Sequence, residues 1–112
     1  MMIDIAGQDN QTHRVEGCYV PSPNGFEQFL LVAHNAMWVD GTIDEDKWCV
    51  SVADIGFRFD HEAPTIDDAI AYAYKVLRYQ GKRKMAEHHQ RARDVLAKRG
   101  ISYPVNELPK LK

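Results

Sequence analysis

The sequence predicts an α+β fold, in which one or two C-terminal α-helices pack on one face of a small antiparallel β-sheet of three to four strands. Apolar residues alternate over residues 48–52, which is typical of a half-buried strand. From Ile66 to Leu77 they recur every three or four residues, which is typical of an amphipathic helix. The 112 residues are 45% hydrophobic, so we expect one compact domain, 1–112, with a core of two layers.

The first half of the chain is expected to supply the strands. Residues 12–20 have side chains that suit a strand, although Gly17 weakens it, and the prolines of residues 21–25 end it. Residues 1–11 are polar and residues 104–112 contain two prolines. We therefore expect both ends of the chain to be extended or flexible tails.

Residues 26–35 fit two different structures. Their apolar spacing fits a helix capped by Asn24, whereas an Asp-Gly turn farther along favours a hairpin with a strand through at least residues 37–39. Helix and strand therefore remain alternatives for residues 26–35. Gly56 permits a tight turn, so residues 36–59 predict a three-stranded antiparallel meander.

The C-terminal third predicts helix. Thr65 is the expected N-cap with Asp68 at the third helical position, and Gly81 suits the end of this helix. A second helix is predicted over residues 82–99, with Gly100 after its end. Its apolar stripe is rotated by roughly a quarter turn from that of the first helix, so a break at Gly81 is simpler than one straight helix. The residues predicted to form the main core are Trp48, Val50, Phe57, Phe59, Ile66, Ile70 and Leu77.

Charge is divided sharply along the chain. Residues 1–74 contain three basic and thirteen acidic residues, which gives a net charge of −10. Residues 75–112 contain eleven basic and three acidic residues, which gives a net charge of +8, so the formal total is only −2. We expect the two halves to pair across the fold and neutralise each other. The alternative is two separate patches that steer binding partners.

The predicted second helix carries the candidate partner-binding residues. Glu87 with Arg91 and Asp94 with Lys98 are four residues apart in the favourable order, as on a solvent-exposed helix. The acidic remainder of the chain would repel phosphate, so direct nucleic-acid binding ranks below binding to a protein or nucleoprotein complex. The candidate partner-binding residues are Lys82, Arg83, Lys84, Arg91, Arg93, Lys98 and Arg99.

The sequence contains no motif that predicts catalysis, a cofactor or a metal site. G-x-S-x-G, P-loop and G-x-G-x-x-G patterns are missing. His88 and His89 diverge by about 100° on a helix, so we expect one at the core margin and one in water rather than a shared metal. The acidic residues 40–46 lack the spacing of a calcium loop. Residues 60–62 place a histidine between two acids, but an acid–base pair would need a third group and a pocket.

Cysteine usage and the N-terminus point to a cytoplasmic protein. Cys18 and Cys49 are far apart, no C-x-x-C is present, and two thiols are favoured over a disulfide. The N-terminus has no basic segment followed by an apolar one, unlike a signal peptide. The longest apolar run, residues 29–33, is too short to cross a bilayer.

These observations favour a small non-catalytic binding protein that contacts a protein or nucleoprotein partner stoichiometrically. The first alternative is a nucleic-acid-binding regulator that uses residues 82–99, and the second is an enzyme with no recognisable motif. Small, charge-segregated domains are common among accessory proteins of phages and mobile elements, including inhibitors of host defence such as anti-CRISPR proteins. That association rests on size and charge pattern rather than on any residue.

Overall fold

The computed structural model describes residues 1–7, 10–38 and 41–107. Five strands form one antiparallel sheet whose spatial order follows the chain order. The α+β class is confirmed, and the strand count is higher than the three to four expected. The elements are β1 (Met2–Ala6), β2 (Thr12–Val20), β3 (Leu31–Met37), β4 (Ile43–Val52), β5 (Phe57–Arg58) and one C-terminal helix, α1 (Ile66–Lys98).

The additional strand comes from the segment that we assigned to the N-terminal tail. In β1, Ile3 and Ile5 are buried, while Met2 at the start of the strand is exposed. The pattern spans too few residues to stand out in the sequence. Residues 8–9, 39–40 and 108–112, which include parts of the predicted tails and hairpin loop, lie outside the described residues.

The ambiguity over residues 26–35 is resolved as turns followed by the central strand β3. Leu31, Val32 and Ala33 are all fully buried, although adjacent strand residues point to opposite faces. A strand that is buried on both faces is apolar throughout and does not show the alternation by which strands are usually recognised. The helical spacing of this stretch was therefore coincidental.

The sheet curls so that its two faces serve two cores. The N–H of Ala6, in the first strand, donates to the carbonyl of Gly56, beside the last strand, at 2.9 Å. The main core lies between the sheet and α1. A second core lies inside the curl, among the first strands, β3 and the end of β4, and contains Ile3, Ile5, Val15, Val32 and Ala53.

Gly17 is the point at which β2 changes partner. The strand pairs with β1 up to Glu16 and with β3 from Gly17 onward. A Cβ atom at Gly17 would lie 2.8 Å from Cγ1 of Val32 and 3.1 Å from the carbonyl oxygen of Ala33. The glycine that weakens the sequence prediction of this strand is therefore needed for the close approach within the curl.

Both ends of α1 have the predicted caps. Thr65 Oγ1 accepts a hydrogen bond from the N–H of Asp68 at 3.1 Å. Gly100, with φ of 73°, follows the C-cap, and the N–H of Ile101 donates to the carbonyl of Leu96 at 2.9 Å. This arrangement is a Schellman motif, in which a glycine lets the chain leave the helix while the last carbonyls keep their partners.

The predicted break in the helical segment is confirmed. Gly81 has φ of 78° and ψ of 164°, a conformation that is essentially restricted to glycine. The apolar stripes of the two helical segments point in different directions, and the break allows both stripes to pack on the same core. The buried residues are Ala69, Ala73 and Leu77 before the break, and Met85, Ala92 and Leu96 after it.

The predicted core is correct at its centre and incomplete at its margin. Val50 and Leu77 are fully buried, whereas the other five predicted residues are partly buried and pack against the main core. Phe26, Phe29 and Leu31 were not predicted and belong to the main core. They precede or begin β3, the segment whose structure was ambiguous in the sequence.

Leu77→Ala should destabilise the protein by about 2–5 kcal/mol, because Leu77 has no exposed surface and the truncation leaves a cavity. Urea unfolding measures the change, with Lys75→Ala on the exposed side of the same helix as control. A urea midpoint equal to that of the parent protein would contradict the packing of α1.

Gly17→Ala should destabilise the protein by about 1–3 kcal/mol, because the added methyl overlaps Val32 and approaches the β3 backbone. Cys18→Ala, at the neighbouring exposed position, is the control and should change the melting temperature little. Equal melting temperatures for the two variants would show that the curl does not need a glycine.

Candidate partner-binding surface

Six of the seven predicted partner-binding residues lie exposed along α1. We call the set of Lys82, Arg83, Lys84, Arg91, Arg93 and Lys98 the basic face. Arg99 is different, because it is half-buried, lies 5.9 Å from the centre of the Phe57 ring and donates a hydrogen bond to the carbonyl of Gly7 at 3.1 Å. It joins the end of the helix to the sheet and does not belong to the basic face.

The two ion pairs expected along the helix do not form. Glu87 instead faces Arg83, with 3.8 Å between Oε1 and Nε. Asp94 accepts a hydrogen bond from the side-chain amide of Gln90. Within the described part of the chain, Arg83 is the only Lys or Arg beyond residue 74 that makes an ion pair. Arg91 and Lys98 are therefore exposed without a carboxylate partner.

Among the described residues, no Lys or Arg beyond residue 74 forms an ion pair with a carboxylate of the acidic half, and the contact that joins the halves is that of His89 with Asp54. The ion pairs that Lys and Arg form with carboxylates of the acidic half all lie within that half of the described chain, as in the contact of 2.9 Å between Arg58 and Glu62. Across the boundary, the pKa of Glu27 is lowered mainly by hydrogen bonds from the backbone of Gly25, with a minor contribution from Lys82. The basic face thus keeps most of its charge for solvent or for a partner.

The basic face contains a row of three cations, and an exposed aromatic side chain precedes this row in the chain. Lys84, Arg91 and Lys98 are seven residues apart, so their Cα atoms lie near one line along the helix with a spacing of about 10 Å. Tyr79, two residues before Gly81 and five before Lys84, is 86% exposed. Tyrosine and arginine are the side chains that most often anchor protein interfaces.

A second polar arrangement joins the helix to the sheet and to the C-terminal segment. Asp54, in the turn before β5, is buried, and its Oδ2 lies 2.7 Å from Nε2 of His89 and accepts a hydrogen bond from the hydroxyl of Tyr103 at 2.6 Å. That hydrogen bond, followed by burial, raises the pKa of Tyr103. As predicted, one adjacent histidine, His89, lies at the core margin while His88 is exposed.

The Asp54 carboxylate resembles the acid of a catalytic pair, but the hydroxyl beside it belongs to Tyr103, whose raised pKa keeps it protonated at neutral pH. Its second oxygen, Oδ1, is buried and has no hydrogen-bond partner among the described residues. The contacts of the first oxygen are with His89 and Tyr103, which hold α1 and the last segment in place. Sequence reasoning missed Asp54 because a single aspartate before a glycine is ordinary turn composition.

A cysteine and a histidine meet inside the sheet without forming a reactive pair. Nε2 of His34 lies 2.7 Å from Oγ of Ser51, and Nδ1 lies 2.8 Å from the carbonyl of Asn35, so a neutral ring can donate to that carbonyl and accept from the serine. The Cys49 sulfur lies 3.6 Å from Nδ1. Burial raises the pKa of Cys49 to about 11, so the thiol is protonated at neutral pH and is a poor nucleophile.

The other chemical candidates serve as ordinary surface contacts. His61 stacks on Tyr72 with 4.2 Å between ring centres, and Glu62 pairs with Arg58 and Lys47. The described residues contain no group of three or more His, Cys, Asp or Glu placed to hold a metal ion. Both cysteines are free thiols, as predicted.

Comparisons with protein families, with curated proteins and with solved structures returned no match. No helix in the described ranges combines the length and apolar character needed to cross a membrane. Any functional conclusion therefore depends on the geometry and charge of this chain.

Stability should fall as the pH is lowered below about 6.5, because burial lowers the pKa of His34 in the folded protein. The unfolded chain then binds a proton that the folded protein does not, so the free energy of unfolding falls by up to about 1.4 kcal/mol per pH unit. The stabilisation is complete above the pKa of the unfolded state and is lost as the pH falls toward that of the folded state.

Urea unfolding of the parent, His34→Gln and the exposed control His88→Gln at pH 7.5, 6.5 and 5.5 measures this dependence. The parent and His88→Gln should share a steeper pH dependence than His34→Gln. Equal slopes for all three proteins, or NMR titration of His34 in the folded parent above pH 6.5, would contradict the prediction.

Proposed function

We propose that this protein is a non-catalytic binding protein that docks its basic face on an acidic surface of a protein or nucleoprotein partner. The observation that carries the proposal is the unpaired charge of α1. Arg91 and Lys98 are exposed without ion pairs, although the chain carries a formal net charge of −2 and has ample carboxylates. An acidic surface that meets this face would encounter cations with little local competition, and long-range attraction would speed association.

A protein surface suits this face better than a continuous phosphate backbone. Glu87 and Asp94 are exposed on the same helix, and a regular phosphate lattice would be repelled by them. Tyr79 adds an aromatic side chain that can be buried at the centre of an interface, where tyrosine contributes more than scattered charges do. The acidic half of the chain would also oppose close approach of a nucleic acid.

The polar clusters support stoichiometric binding rather than catalysis. His34 and Cys49 are buried, and the thiol is protonated at neutral pH. His89 and Asp54 bind each other, and the neighbouring Tyr103 hydroxyl stays protonated at neutral pH because its pKa is raised. A small protein of this kind acts by occupying a surface, as an inhibitor or adaptor does, and accessory proteins of phages and mobile elements are the setting in which we propose it works.

Arg91→Glu should slow association with the partner by about three- to tenfold and leave the melting temperature nearly unchanged, because exposed charges contribute little to folding. Arg14→Glu, which makes the same change of charge on β2 and also breaks the contact of Arg14 with Asp4, is the control for the association rate. The partner is first captured from a nuclease-treated bacterial lysate and identified, and rates are then measured with purified components at 50 and 500 mM salt. The rate for the parent should fall steeply as salt rises.

Three outcomes would contradict the proposal. Capture of nucleic acid without any associated protein, lost after nuclease treatment, would indicate direct nucleic-acid binding. Tight binding of the isolated protein to a random DNA duplex, with log K linear in log salt, would favour the nucleic-acid-binding regulator. Unfolding caused by Arg91→Glu would show that the arginine supports the fold.

A further inference from the structure

An apolar cavity of about 500 Å³ lies beside the helix break, between α1 and the sheet. Its volume falls within the range of small-molecule sites, which are mostly apolar with a few placed polar groups. The sheet side supplies Phe29, Val52 and Phe57, and the helix supplies Val76, Met85 and Val95. The two helical segments contribute on either side of Gly81, so the break shapes this space.

The polar groups around the cavity are mostly cationic or imidazole. Arg58, Arg91, His88 and His89 line it, together with one acid, Asp60. Arg58 is already paired with a glutamate, whereas Arg91 has no ion pair among the described residues. Arg91 is therefore the cation that is free to meet a ligand at the edge of an apolar space.

His89 provides an oriented polar atom in the wall. Oδ2 of Asp54 lies 2.7 Å from Nε2 of His89. The centre of the Phe29 ring lies 6.0 Å from the centre of the imidazole. The ring is thereby held in position, and Nδ1 is left as its other hydrogen-bonding atom. The site therefore combines the fixed imidazole of His89, the unpaired guanidinium of Arg91 and apolar walls. These features are complementary to a molecule that has an apolar body and one anionic group.

We propose that this cavity binds a small amphipathic anion, an aromatic or acyl molecule whose carboxylate or sulfonate lies against Arg91. A neutral apolar molecule would leave the Arg91 charge unused, and a cation would be repelled by Arg91 and Arg58. The apolar walls disfavour a fully polar anion, because the free-energy cost of desolvating it there would exceed the stabilisation from one guanidinium. This site goes beyond the proposed function and shares only Arg91 with the basic face, since its other lining residues lie outside that set.

The test uses 1-anilinonaphthalene-8-sulfonate as the probe and follows its fluorescence with the folded full-length protein. The parent should bind one equivalent saturably, with a dissociation constant on the order of 10–100 μM, and decanoate should displace the probe. Arg91→Gln should weaken binding about three- to tenfold. Ala92→Phe, which fills the cavity from the helix side, should weaken it at least about tenfold.

Two matched controls separate this site from the exposed surface. Ala97→Phe adds the same bulk at an exposed position of the same helix and should leave probe binding unchanged. Lys98→Gln removes a cation from the basic face that does not line the cavity, so it should also leave probe binding unchanged. Because Lys98→Gln should slow association with the partner, failure of the cavity proposal and failure of the proposed function are distinguishable.

The proposal is overturned by non-saturable binding, by equal weakening in Arg91→Gln and Lys98→Gln, or by binding that survives in a folded Ala92→Phe. If Ala92→Phe does not fold, methyl NMR spectra of the parent decide the question. Shifts on addition of decanoate should concentrate at Val76, Met85 and Val95, and shifts that concentrate elsewhere would overturn the proposal.

Discussion

The structure depends on the burial of two differently oriented helical stripes on one sheet. Leu77 and Leu96 both have no exposed surface, yet a straight helix would turn their stripes apart. Gly81 removes the conflict by adopting a conformation that other residues avoid. The position of the second segment follows from this break. It brings His89 to Asp54, opens the cavity beside the break and directs the basic face toward solvent.

Burial on one side of the helix also determines which charges remain available. The apolar stripe and Arg99 hold the segment to the sheet, and the opposite side carries Arg91 and Lys98, which form no ion pair among the described residues. Among the buried polar groups, His34 has a hydrogen-bond partner at both ring nitrogens, and Asp54 contacts His89 and Tyr103 through one of its two oxygens. Interior polar groups therefore stabilise the scaffold, and recognition is left to the surface of α1 and the cavity at its edge.

Local signals in the sequence determined the elements that depend on neighbouring residues. The bounds of β2, the Thr65 cap, the break at Gly81 and the helix end before Gly100 were all predicted, because each depends on backbone preferences or hydrogen bonds within a few residues. The division between His88 and His89 followed from helical geometry alone. The α+β class followed from the two hydrophobic periods, and the charge division from composition.

Tertiary structure alone decided what depends on residues far apart in the chain. β1 is a strand because it pairs with β2 and its last residue bonds to Gly56. Its five residues alone carry too little pattern to predict a strand. Asp54 meets His89 across 35 positions, and Arg99 reaches Gly7 across 92. The pairing of charges could not be predicted from the sequence either. Which carboxylate a surface cation pairs with depends on distance and solvation, and both are determined only by the folded structure.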